Sequence, residues 1–167
     1  DDPRYYRVAD MLVEAGRLGQ KVGRGVYLYP EGARRRVPDP QVEAMIGAEA
    51  GRLGIERRTI ADEAICERCL FALINEGARL LGEGIAASPG DIDVIWCNGY
   101  GFPRFRGGPM FYADRLGPAV VLEGLRRLGE TLGGRYWTPA PLLEELSRGG
   151  GSFEAWRGGA AARRIES

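Results

Sequence analysis

The chain has 167 residues and a mass of 18.2 kDa, with 44% hydrophobic and 28% charged residues, the size and make-up of about one globular domain with a real core. Its 23 basic residues balance 23 acidic ones and it holds no His, so a general nucleic-acid binder, an imidazole base, a His-ligated metal and a Ser-His-Asp triad are all excluded within it. No apolar run approaches the ~18 residues of a membrane span, the opening residues do not read as a signal peptide, and three Cys, an odd number, predict a reduced cytoplasmic protein rather than a disulfide framework.

One register of self-similarity organises the chain. Displaced by 131 positions, RYYRVADMLVEAGRLG (4–19) falls on RYWTPAPLLEELSRGG (135–150), with identities at Arg4/Arg135, Tyr5/Tyr136, Ala9/Ala140, Leu12/Leu143, Glu14/Glu145, Arg17/Arg148 and Gly19/Gly150. Unrelated segments of that length share about one identity. The match predicts an internal duplication whose first copy starts before residue 1, so the chain is expected to be the C-terminal piece of something longer.

The glycines of GRLGQKVGRG (16–25) predict a helix end and a tight turn into Gly25-Val-Tyr-Leu-Tyr29, the one strand-like run, too short and isolated to define a sheet. Arg34-Arg35-Arg36 abuts Val-Pro-Asp-Pro and reads as a solvated linker. Asp39 and Pro40 are N-cap and first residue of a helix expected to reach Leu53 and stop at Gly54. Thr59 and Asp62 resemble a capping box opening the strongest element, a helix over 60–81. Its predicted apolar stripe is Cys66, Cys69, Leu70, Leu73, Ile74, Leu80 and Leu81, with Glu63, Glu67 and Arg79 off it. Ser88 caps a shorter helix ending at Gly99; Pro109 and Pro118 start helices over 109–116 and 118–132; Thr138-Pro139 starts a last one to about Ser147. The fold class is therefore all-α.

Three features invite chemistry, and each has a plainer reading. Cys66-Glu-Arg-Cys69 sits inside a helix on its predicted apolar face rather than at the N-terminus a redox pair uses, and Cys97 is the sole further thiol for a zinc site needing four ligands. Buried core cysteines are expected. The 16–25 loop matches neither phosphate-binding fingerprint, which leaves at most a weak anion contact from Lys21. That Lys21 is the only Lys among the 23 basic residues reads as compositional bias. In GYGFPRFRGGPM (99–110), Gly and Pro force a compact path, Tyr100, Phe102 and Phe105 are expected anchors, and Arg104 and Arg106 offer donor forks. A packed structural loop is the expectation. Asp91, Asp93 and Asp114 are assigned to capping or surface positions rather than a metal.

EAGRLGQKVGRGVYLY (14–29), LINEGARLLGEGIA (73–86), DIDVIWCNGYGFPRFRGGPMFYAD (91–114) and WTPAPLLEELSRGGGSF (137–153), in this order and spacing, resemble the C-terminal domain of 3-hydroxyacyl-CoA dehydrogenases. The likeness is to the second of two tandem copies in the multifunctional fatty-acid β-oxidation enzymes, which also carry an enoyl-CoA hydratase module. The resemblance implies a truncated first repeat over 1–36, a linking helix over 37–58, a complete second repeat over 59–156 and a weakly ordered tail over 157–167. It implies that the NAD-binding Rossmann domain and its catalytic His-Glu pair lie upstream, and nothing here matches them. Where the family's first copy has a substrate-assisting Asn, eight residues before its Asn-Glu, this chain has Glu67, while Arg68, Asn75 and Glu76 match.

The resemblance thus assigns no catalytic, cofactor or metal residue to this chain. It marks Asn75, Glu76, Gly99, Gly101, Pro103, Arg104, Gly107, Gly108 and Pro109 as a signature expected to be structural. NAD and 3-hydroxyacyl-CoA belong to the intact enzyme; the upstream Rossmann and first helical domains, and a second copy in a homodimer, are the implied partners. Cytoplasm or an organelle matrix is the implied location. A truncated first copy also leaves Tyr5, Tyr6, Leu12, Val26 and Tyr27 short of partners. The alternative is a self-standing helical assembly module.

Overall fold

A computed structural model describes residues 6–32, 35–134 and 136–158. Arg4, Tyr5, Arg34, Arg135 and most of the expected tail lie outside these residues. The described chain is helical apart from one short strand pair, and it divides into two compact units, Asp1–Thr59 and Ile60–Ser167. None of its helices is long and apolar enough to cross a membrane.

The first unit holds α1 (Arg7–Glu14), β1 (Tyr27–Leu28), β2 (Val37–Pro38) and α2 (Pro40–Arg52). After α1 the Gly19 N–H donates to the Arg24 carbonyl at 2.9 Å, and Gly25 passes so close that a Cβ on it would lie 2.9 Å from the Gly19 Cα. The strand is not isolated: Tyr27 pairs with Pro38 and Leu28 with Val37, antiparallel. A two-residue edge strand ending in Pro has no periodicity to read, so the partner was hidden in an apparent linker. Asp39 caps α2 as expected, accepting from the Gln41 N–H at 2.9 Å.

Leu12 and Val42 are the buried apolar residues of this unit, and ion pairs do much of the rest. Buried Arg17 pairs with Asp39 at 2.5 Å and donates to the Gly25 carbonyl at 3.0 Å. Glu49 accepts from Arg7 at 2.8 Å and Arg52 at 2.7 Å. Of the residues expected to lack cover, Leu12 is buried and Tyr27 lies 4.6 Å under the Arg36 guanidinium, while Val26 is exposed.

The second unit is α3 (Asp62–Gly82), α4 (Pro89–Gly99), α5 (Pro109–Leu116), α6 (Pro118–Leu132) and α7 (Pro141–Gly149). Phe71, Ile74, Ala78 and Leu81 of α3 form its spine, and α5, α6 and α7 pack around them with Met110, Ala113, Val121, Leu125, Leu143 and Phe153. Gly77 and Gly124 permit the approach: a Cβ on Gly77 would meet the Met110 sulfur at 2.5 Å, and one on Gly124 would enter the Phe71 ring.

Three local expectations are corrected. The N-cap of α3 is Ala61 and makes no side-chain bond, so Thr59 and Asp62 form no capping box; an Asp is a carbon shorter than the Glu that normally reaches back. Cys66 and Cys69 are exposed, because the buried face runs through 71, 74, 78 and 81. Extended backward at helical spacing that line meets Glu67, which reaches α6 through an ion pair with Arg127. The last helix begins at Pro141, not Pro139, since Pro141 holds Ala140 extended at φ −67° and ψ 139°.

Candidate functional site

The residues of the 99–109 signature fold into one joint between α4 and α5. Gly99 ends α4, and the Phe102 N–H returns to the Trp96 carbonyl at 3.0 Å, a reversal that Gly101 makes at φ +75°. Phe102 is buried, Pro103 leads into a single 3-10 turn over Arg104–Arg106, and Pro109 occupies the first position of α5. Two of the expected anchors are corrected. Tyr100 and Phe105 are 69% and 86% exposed, because the tight turns leave room for one inserted ring. Tyr100 instead stacks on Trp96 with centroids 4.9 Å apart.

The arginine forks stay on the protein. Arg104 donates to the Asn98 amide oxygen at 2.9 Å, and the Arg106 guanidinium lies 5.6 Å from the Phe105 ring centroid and 5.1 Å from that of Tyr112.

Asp93 fastens the joint. Projecting from α4, its carboxylate accepts from the Met110 N–H at 2.7 Å and the Phe111 N–H at 3.1 Å, capping α5 from another helix. Gly108, at φ +109°, must lack a side chain because a Cβ there would overlap that carboxylate. Burial pushes the Asp93 pKa above the usual 3.8 despite the two N–H donors, and the charge of Asp114 adds to the rise. Asp114 repeats the device, accepting from the N–H groups of Phe153 and Glu154 at 2.7 and 2.8 Å. Asp91 completes a reciprocal cap with Ser88, at 2.8 and 3.2 Å. Asp93 and Asp114 hold backbone, whereas the Asp91 carboxylate accepts from the Ser88 hydroxyl, whose oxygen caps the Asp91 N–H. For Asp93 and Asp114 the partner lies 17 and 39 residues away, beyond any local sequence signal.

Asn75 performs the same service elsewhere. Only 2% exposed, it donates to the Thr138 carbonyl at 2.9 Å and accepts from the Ala140 N–H at 2.7 Å, tying α3 to the entry of α7. Glu76 faces solvent, 3.6 Å from Arg79. Lys21 and the glycine loop close a 3-10 turn over Gln20–Val22 that follows a helix rather than opening one, so it is no phosphate cradle. Among the described residues, no three Cys, Asp or Glu side chains converge on a metal position. Among the signature residues, Asn75 and Arg104 hydrogen-bond within the fold, Glu76 faces solvent, and the glycines and prolines shape the turns and the start of α5.

Fold and signature together define an all-α domain. The chain belongs to the family of the 3-hydroxyacyl-CoA dehydrogenase C-terminal domain, whose model matches residues 65–154. It is 46% identical over 157 residues to the peroxisomal bifunctional enzyme of Danio rerio, covering 92% of this chain and 22% of that protein. The Homo sapiens peroxisomal bifunctional enzyme is 50% identical over 125 residues, covering 74% of this chain and 17% of its own length. The fatty acid oxidation complex subunit alpha of Shewanella loihica is 36% identical over 144 residues, covering 86% of this chain and 19% of that one. The crystal structure of the dehydrogenase part of multifunctional enzyme 1 from C. elegans superposes with a TM-score of 0.60 at 23% identity, over 83% of this chain and 32% of that one, and so shares the fold. The chain thus spans about one fifth of the length of these curated relatives.

Proposed function

We propose that this chain is the helical C-terminal part of an NAD-dependent 3-hydroxyacyl-CoA dehydrogenase of fatty-acid β-oxidation, in an enzyme that also carries an enoyl-CoA hydratase module. The observation that carries this is the family match over 65–154 to a domain whose signature glycines and prolines shape the α4–α5 joint and whose Asn75 holds the entry of α7. The intact enzyme would oxidise a 3-hydroxyacyl-CoA to the 3-ketoacyl-CoA, passing hydride to NAD+ and the hydroxyl proton to a base. This chain has no His to act as that base, and its glycine loop does not fit a dinucleotide pyrophosphate. No step of the reaction is assigned to its residues.

Its own work is to pack. Residues 59–156 are the second helical repeat and 1–36 the tail of the first, joined by the helix within 37–58. The paired positions Leu12 and Leu143 are both buried in helices, which supports the duplication. Glu67, in the place of the family's substrate-assisting Asn, is committed to Arg127, in keeping with a repeat that shapes the cleft or subunit interface without touching substrate. The partners are the upstream Rossmann and first helical domains, with a homodimer as a further level of assembly, and the location is an organelle matrix or the cytoplasm. Residues 1–167 should show no NADH-linked reduction of acetoacetyl-CoA, and measurable turnover by the purified chain would overturn the proposal.

A further inference from the structure

We infer that Cys66 and Cys69 form a surface dithiol clamp for a soft, low-coordinate cation of the Cu(I) class. Both thiols are free and exposed, three residues apart in the second turn of α3, so their side chains rise from the same face. The third cysteine, Cys97, lies on α4 and is half-buried.

Helix geometry decides what such a pair can do. Residues at this spacing hold their Cβ atoms about 5–6 Å apart, whereas a disulfide needs about 3.5–4.5 Å. An intact α3 therefore keeps the pair as two thiols. An ion bound to both at metal–sulfur lengths near 2.3 Å holds the sulfurs about 4.6 Å apart when linear, which the helix admits.

The donor count then selects the ion. Zinc takes four ligands, and no group of three converges among the described residues of a chain without His. Glu67, the acidic residue between the two cysteines, is occupied by Arg127. Two thiolates with no oxygen or imidazole donor suit a monovalent soft cation. Binding forms two Cu–S bonds, releases two thiol protons and transfers no electron.

The 167-residue chain, reduced with a phosphine, is titrated with Cu(I) against a chromogenic chelator. The expected result is one tightly held Cu(I) per chain. C66S and C69S should each lower the affinity at least about 100-fold, the upper end of what outer-shell losses cost; C97S should leave it unchanged. The double variant C69S/R68C keeps two thiols but turns them to different faces, and it should bind as poorly as C69S while circular dichroism shows α3 intact. Stoichiometric binding that survives in C66S/C69S, full affinity in C69S/R68C, or no binding that competes with the chelator would overturn the inference.

Discussion

Asn75 is a buried amide whose two ends serve two backbone groups, the Thr138 carbonyl and the Ala140 N–H. Asn75→Ala strands both at a cost of about 1–3 kcal/mol each, so urea unfolding should report a loss of about 2–6 kcal/mol. Asn75→Asp keeps the acceptor for Ala140 but sets a carboxylate against the Thr138 carbonyl; its loss should shrink as pH falls and the carboxyl protonates. Glu49 gives the first unit a defined acid sensitivity. The hydrogen bonds from Arg52 and Arg7 hold its pKa at about 2, below its ordinary 4.5. A depressed carboxyl stabilises the fold fully above the unfolded value and loses that contribution as pH falls from 4.5 toward 2. A pH series of unfolding curves should therefore show a loss of stability in that window that Glu49→Gln lacks. Asp93 has the opposite sign: its pKa is raised, so its ionised form is disfavoured and its contribution declines as pH rises above 3.8.

The joint between α4 and α5 depends on a helix start capped from outside its own sequence. Asp93→Ala should cost about 1–2 kcal/mol, the usual value of a lost N-cap, and accelerate amide exchange at Met110 and Phe111 first. Gly124→Ala tests the α3–α6 contact: the added methyl runs into the Phe71 ring and should destabilise by about 1–3 kcal/mol as an overpacked core, with Phe71→Leu in the same chain restoring part of the loss. These elements also show where sequence reading succeeds. The starts at Pro40, Pro89, Pro109 and Pro118 were legible because a proline at the first turn is a local signal. Thr59 and Thr138 carried similar signals and failed, one for want of a long acidic partner and one because a second proline forbade the helix. The face of α3 was misread by about one position because thiols count as apolar, while the side chains that packing selects are Phe71 and Ile74.

At the scale of the molecule, the polar side chains of the described residues serve chiefly to join one helix to the next. Glycines, aspartates and an asparagine that might have lined a site hold turns and helix ends instead, and most of those partners were invisible in the sequence because they lie on other helices. What was legible was the all-helical class and the signature; what was not was that Asp93 and Asn75 organise it. These helices are proposed to complete a dehydrogenase whose catalytic groups lie on other domains. The direct measurement is NADH oxidation with acetoacetyl-CoA by a peroxisomal bifunctional enzyme truncated of the segment that matches this chain, with the 167 residues supplied in trans. The rate should be low for the truncated enzyme, nil for the chain, and restored in a saturable way when the two are mixed; a rate that the chain leaves unchanged, or turnover by the chain alone, would contradict this role.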